Sequence, residues 1–227
     1  MRFRNLSCGG GPGFFSFFFG IIISAVDYYH SNMSIVGLDL AGVETRPTGY
    51  CVLAGMDAET SLIFTDKEIL AKIRQVLPKV VAIDAPLTLP PGRTSLEERN
   101  KAHLRECDRE LLKRHIKFFP LTLGPMRKLT ERGMRLKIIL EAENFVTIEA
   151  YPGGAQDVLG IPRKQKGLEK LKVGLDNLGL KGLSNVMSDH ELDAVTCAYV
   201  GKLFLEGNAI VYGRLDNGII MPKGEKK

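Results

Sequence analysis

The sequence predicts an α/β protein: a mixed sheet with helices on both faces. Three observations carry this reading. Residues 34–65 hold three short strand patterns in succession, joined by turn residues, as in an antiparallel meander. From residue 66 onward, helical and strand patterns alternate, which points to parallel pairing in the same sheet. The fourth strand pattern, KVVAID (79–84), is apolar without alternation until its last residue, as expected of a parallel strand covered on both faces.

Taken in order, residues 34–41 form the first predicted strand, and TGYCVLAG (48–55) and SLIFT (61–65) the next two. Residues 66–77 are amphipathic, with Ile69, Leu70, Ile73 and Leu77 on one helical face. Strand four, 79–84, is ended by Ala85-Pro86. PPGRTSLEERN then turns into a helix capped by Thr94 or Ser95, running to about His115 with Leu104, Cys107 and Leu111 inward. A second helix over 126–142, interrupted by Gly133, completes a helical insertion of about 93–142. FVTIEA (145–150) is strand five, stopped by Tyr151-Pro152-Gly153-Gly154. A charged helical piece covers 165–178. The closing helix, 188–205, starts with a capping box of Ser188 and Glu191. A short hairpin around Asp216-Asn217-Gly218 ends the pattern.

The 227 residues suit one domain, expected over residues 33–227. The net charge of +5 and pI near 9.0 favour polyanionic partners, nucleic acid among them. Cys8, Cys51, Cys107 and Cys197 are scattered, with no CxxC pair, which fits reduced thiols in a cytoplasmic protein rather than a disulfide framework or a zinc site. Residues 1–32 differ in character. FFSFFFGIIISAV (14–26) is an apolar run too short to span a bilayer comfortably, and no small-x-small cleavage pattern follows it. Its Phe, Ile, Tyr and Asn are what AT-rich upstream DNA encodes. Residues 1–32 are therefore expected to be a non-native or disordered extension, with the natural start at Met33 and no membrane partner. A membrane-targeting role and an extra structured segment are the alternatives.

Candidate chemistry comes from acids. Asp39, Asp84 and Glu149 each close an apolar strand, and the carboxyl ends of parallel strands are where binding groups gather. On the closing helix, His190, Asp193 and Cys197 share a face by their i, i+3, i+7 spacing. Clustered carboxylates repel unless a cation lies between them, and oxygen-only ligands suit Mg2+ or Mn2+. That combination points to metal-dependent phosphoryl chemistry. Each acid also has a plainer reading: Asp84 as a turn former, Asp193 as a partner of the helix dipole, Glu149 as the partner of an arginine.

VGLDLAG, VAIDAPL, RECDREL, TIEAYPGGAQDVLG and HELDAV, in that order, resemble a family of uncharacterised proteins described as predicted nucleases with an RNase H-like fold. The likeness spans nearly all of residues 34–206. It implies a five-stranded mixed sheet of order 3-2-1-4-5, with catalytic, metal-holding acids at Asp39, Asp84 and Asp193. The HxxDA stretch at His190–Ala194 is similar to the last catalytic motif of Holliday-junction resolvases of the same fold. On this reading the protein is a Mg2+- or Mn2+-dependent nuclease, in which His190 orders an ion or moves a proton and Glu149 is a further candidate. GLDLAG also resembles the first phosphate-binding strand of actin-like ATPases and phosphotransferases, and a non-catalytic binding module is the third alternative.

Basic residues supply candidate substrate contacts. Arg105 and Arg109, four apart, are read as a shared phosphate-binding edge, extended by Arg93, Arg99, Lys113 and Arg114. The interspersed acids argue for an ordinary salt-bridged helix face instead. Arg163, Lys164, Lys166, Lys170 and Lys172 read as a solvated face, with non-specific nucleic-acid contact as the alternative.

Overall fold

The computed structural model describes residues 33–98 and 101–224. The expectations for residues 1–32, Cys8 and Arg99 lie outside the described residues. β1 (Ser34–Asp39) pairs antiparallel with β2 (Thr48–Ala54), and β2 pairs antiparallel with β3 (Asp57–Ile63). β4 (Val80–Ile83) lies parallel to β1 on its other edge, and β5 (Thr147–Ala150) lies parallel to β4. These five stand in the order 3-2-1-4-5. The expected sheet of five is nevertheless too small. β6 (Ala209–Tyr212) and β7 (Ile219–Pro222) form the C-terminal hairpin, and β7 adds parallel to β5, giving the order β3-β2-β1-β4-β5-β7-β6. The hairpin thereby pairs an edge of β5 that would otherwise present free backbone amides and carbonyls.

The helices are α1 (Asp66–Val76), α2 (Glu106–Lys113), α3 (Gly124–Ala142), α4 (Pro152–Leu159), α5 (Leu168–Asn177) and α6 (Asp189–Leu205), with a short 3-10 turn at Lys164–Lys166. The helical piece expected over 165–178 is split by Gly167 into that turn and α5, and β3 spans Asp57–Ile63 rather than 61–65. Three further helices differ from expectation. The helix expected from Thr94 begins only at Glu106, because the Arg93 guanidinium draws the carbonyls of Ser95, Glu98 and Ala102 onto itself, so the segment wraps around the arginine. α3 runs unbroken through Gly133. α4 starts where a strand stop was read: Pro152 takes a first-turn position, where its missing N–H costs nothing.

Two cores flank the sheet. Ile35, Ala82 and Ala150 pack with Leu192, Val195 and Ala198 of α6 and Leu171 and Leu175 of α5. On the other face Val36, Leu38, Val81 and Ile83 pack with Ile69 and Ile73 of α1 and Leu136 and Leu140 of α3. Cys107 and Leu111 of α2 cover Tyr212, Ile219 and Met221 of the added hairpin. Cys51, Cys107 and Cys197 are buried free thiols. Among the described residues, no helix is long and apolar enough to cross a membrane.

α6 is the central helix, buried around most of its circumference. Its capping box forms as read, and the Glu191 carboxylate also accepts from Thr60 Oγ1 of β3 at 2.8 Å, tying the helix start to the sheet. The helix lies directly on strand backbone. A Cβ at Gly37 would stand 2.1 Å from the Ala194 carbonyl oxygen, and one at Gly49 would stand 2.0 Å from that of His190. Gly49 is the cross-strand partner of Asp39, so this contact sets His190 beside Asp39. Gly49→Ala is therefore expected to cost about 3 kcal/mol, the upper range for overpacking against rigid neighbours. Gly124→Ala, where nothing lies within 4 Å, is expected to leave stability unchanged. Urea denaturation checks both, and a Gly49→Ala protein as stable as its parent would contradict the packing.

Candidate metal and catalytic site

The site is fixed by strand register. Leu38 of β1 pairs with Ile83 of β4, so Asp39 and the residue following β4, Asp84, come level, and the Asp84 N–H donates to the Leu38 carbonyl at 2.8 Å. Strand side chains alternate between faces, so both acids share the face on which α6 packs. Glu149 does not join them. β5 pairs Glu149 with Ile83, one step back, which turns its side chain to the opposite face. There Arg105 holds it, Nη1 to Oε2 at 2.6 Å and Nη2 to Oε1 at 2.8 Å, and the Leu87 N–H donates to Oε2 at 2.8 Å.

Arg105 is equally committed. A guanidinium has five N–H donors. Nε and Nη2 reach Asp108 at 3.2 and 2.9 Å, Nη1 reaches Thr88 at 3.4 Å, and the two bonds to Glu149 take the rest. Arg105, Asp108 and Glu149 are only 4%, 3% and 6% exposed. The expected phosphate-binding edge is corrected accordingly: Arg105 is buried with no donor left for a phosphate, whereas Arg109, one turn on, is exposed. Such buried pairs resist the loss of either partner, because the survivor becomes an uncompensated charge.

On the α6 face, His190 Nδ1 donates to Asp39 Oδ2 at 2.6 Å. Asp193 is buried and both of its oxygens are engaged. Oδ1 accepts from Gln156 Nε2 of α4 at 2.9 Å, and Oδ2 lies 2.8 Å from Lys164 Nζ. The same ammonium sits 3.0 Å from Asp189 Oδ2. Asp84 differs from its neighbours: no hydrogen bond among the described residues reaches its carboxylate. Asp84 is half-buried, and desolvation first, then the charges of Asp39, Asp193 and Glu149, push its pKa well above the usual carboxylate range, against an opposing pull from Lys164. Burial also raises Asp193, with Lys164 opposing. For Lys164, burial works against the charged form, but Asp193, Asp189 and Asp39 overcome it and hold the ammonium protonated.

The structure thus brings Asp39, Asp84, Asp193 and His190 together; Glu149 and Arg105 are paired with each other and border the same cavity, and Arg109 is exposed. Among the described residues no group of three or more His, Cys, Asp or Glu side chains is assembled as a metal cluster. Lys164 and His190 hold two of the acids instead. Lys164 and Gln156 were not singled out from the sequence. Gln156 belongs to α4, whose Pro-Gly-Gly start reads as a stop. The solvated-face reading of Lys164 is corrected: it stands on a 3-10 turn between Pro162 and Gly167, too short to form a helix face. A cavity of about 310 Å3 adjoins the acids, lined by Asp84, Asp193 and Lys164, by the Arg105–Asp108–Glu149 triad and, among others, by Phe118, Phe119 and Tyr151. Arg163, clamped to Asp157, stacks over Tyr151 at 5.7 Å.

The family described as protein of unknown function DUF429 matches residues 37–216, from within β1 to the turn between β6 and β7. The chain belongs to that family. Among solved structures, it is similar to Thermus thermophilus RuvC in complex with a Holliday junction substrate. Identity is 13%, covering 77% of this chain and 96% of that one, with a TM-score of 0.47. A second Thermus thermophilus RuvC structure is 14% identical, covering 77% and 97%, with a TM-score of 0.44. No curated protein matches the chain.

The pairing of His190 with Asp39 has a pH signature. The hydrogen bond to Asp39, more than the opposing burial, raises the His190 pKa. Its stabilising contribution is full below the unfolded value of about 6.5 and is lost as pH rises through the raised folded value. Denaturation between about pH 6 and about pH 9 is expected to show the parent losing stability relative to His190→Gln as pH rises. Parallel curves would contradict the pairing.

Proposed function

We propose that the chain is a divalent-metal-dependent nuclease that hydrolyses phosphodiester bonds, with Asp39 and Asp84 holding Mg2+ or Mn2+. The observation that carries this reading is Asp84, a carboxylate without a hydrogen bond among the described residues, level with Asp39 and facing a third acid. Half-buried at the cavity and close to like charges, such a group is a natural ligand for a cation. Oxygen-only donors suit hard ions, and Mg2+ is commonly held by one or two carboxylates together with substrate phosphates, so the residues fit an ion at the Asp39–Asp84 pair. Asp39 and Asp84 would hold such an ion, which would supply polarisation of a phosphoryl oxygen and a lowered pKa of water.

The chain's own residues supply the rest. His190 fixes Asp39 by Oδ2, and no hydrogen bond among the described residues reaches Oδ1, which is left for a ligand. His190 is thereby a positioning group in the first place. Lys164 keeps positive charge beside the acids and lines the cavity with Asp84 and Asp193, where it meets an anionic substrate. The aromatic wall of Phe118, Phe119 and Tyr151 offers a surface for the organic part of that substrate. The net charge of +5 favours a nucleic acid over a neutral partner.

The test is cleavage of single-stranded, duplex, hybrid and branched substrates with Mg2+ and with Mn2+. Asp39→Asn and Asp84→Asn are each expected to lower the rate by more than about a hundredfold. An Asp39→Asn protein that cleaves as fast as its parent would contradict the reading.

A further inference from the structure

We infer that Lys164 is a built-in cation that occupies the Asp193 side of the site, so that the site takes one divalent ion and not a pair. This rests on the metal-dependent reading above and specifies how the charge is arranged within it. Hydrolysis by two ions uses the acids of a site to clamp both. Here the acid on α6 is already committed: Asp193 Oδ1 accepts from Gln156 at 2.9 Å, and Oδ2 meets Lys164 Nζ at 2.8 Å. Both partners are held in place. Gln156 Nε2 is also anchored on Thr196 Oγ1 at 3.1 Å. Lys164 also bonds Asp189, and its turn is closed by Lys166 N–H to the Arg163 carbonyl and Gly167 N–H to the Lys164 carbonyl. The neighbouring Arg163 is fixed on Asp157. The turn is thus anchored to α4, which carries Asp157 and Gln156, and it sets the lysine against the first turn of α6.

Charge agrees with geometry. The Lys164 ammonium bridges Asp189 and Asp193 and so stands between two carboxylates as an ion would, whereas no hydrogen bond among the described residues reaches the Asp84 carboxylate. A lysine suits this role: its ammonium is a compact point charge on a flexible stem, able to stand where an ion would.

The experiment is a Mn2+ titration of the full chain, followed by calorimetry and by the electron paramagnetic resonance of free Mn2+, with no nucleic acid present. The parent is expected to bind one equivalent, Lys164→Met two, and Lys164→Arg, which keeps the charge, one. Two equivalents on the parent, or one on a folded Lys164→Met protein, would overturn the inference while leaving the metal-dependent reading standing. If Lys164→Met does not fold, Lys164→Gln takes its place with the same expectation. No binding to the parent at millimolar Mn2+ would overturn both.

Discussion

Helix α6 rests on the backbone of β1 and β2 at Gly37 and Gly49, and the rest of the molecule is arranged around that contact. The carbonyl oxygens of Ala194 and His190 stand where any side chain at those two strand positions would begin. This approach seals one core of the sheet. It also lowers the first turn of α6 over the carboxyl ends of β1 and β4, which brings His190 to Asp39 and Asp193 into the same charge cluster as Asp84. The capping box reinforces the position, since Glu191 serves both the helix start and Thr60 of β3. A packing constraint on two glycines is therefore also a constraint on the site.

The two faces of the sheet treat strand-end acids in opposite ways. Glu149 is saturated: Arg105 and the Leu87 amide hold it, and Asp108 completes a buried ionic triad that joins the insertion to β5. Asp84 has no hydrogen bond to its carboxylate among the described residues, and it stands half-buried at the cavity where like charge opposes its ionisation. The difference follows from one residue of register between β4 and β5. Saturated networks hold structure together, whereas a group left short of partners carries a cost that a ligand can relieve.

Much of this was legible in the sequence, and the reasons are local. Strands β1, β2, β4 and β5, helix α1 and the start of α6 are announced by periodicity and caps, which act over a few residues; β3 begins at Asp57, four residues before the expected strand. Asp39 and Asp84 stand out because an acid that closes an apolar strand is conspicuous, and their neighbours on the same edges follow from the parallel pairing of β1 and β4. What escaped depends on distant partners. No local pattern states that Glu149 is a register step behind Asp84, or that Arg93 will gather three carbonyls and delay α2. The C-terminal hairpin was visible as a hairpin, but its addition to β5 was not. Lys164 was hidden most completely: one lysine in a basic run acquires its role only when its turn is set against α6.

The central claim is that Asp84 stands where an ion belongs and is left short of partners in the protein alone. Denaturation of the parent and of Asp84→Asn, each with and without Mg2+, tests it most directly. Without the ion the variant is predicted to be at least as stable as the parent, because Asn keeps the shape of the carboxyl group and cannot carry the charge that Asp39 and Asp193 oppose. With Mg2+ the parent is predicted to gain stability by binding and the variant to gain none. An ion-free variant markedly less stable than the parent, or equal stabilisation of both by Mg2+, would contradict the account.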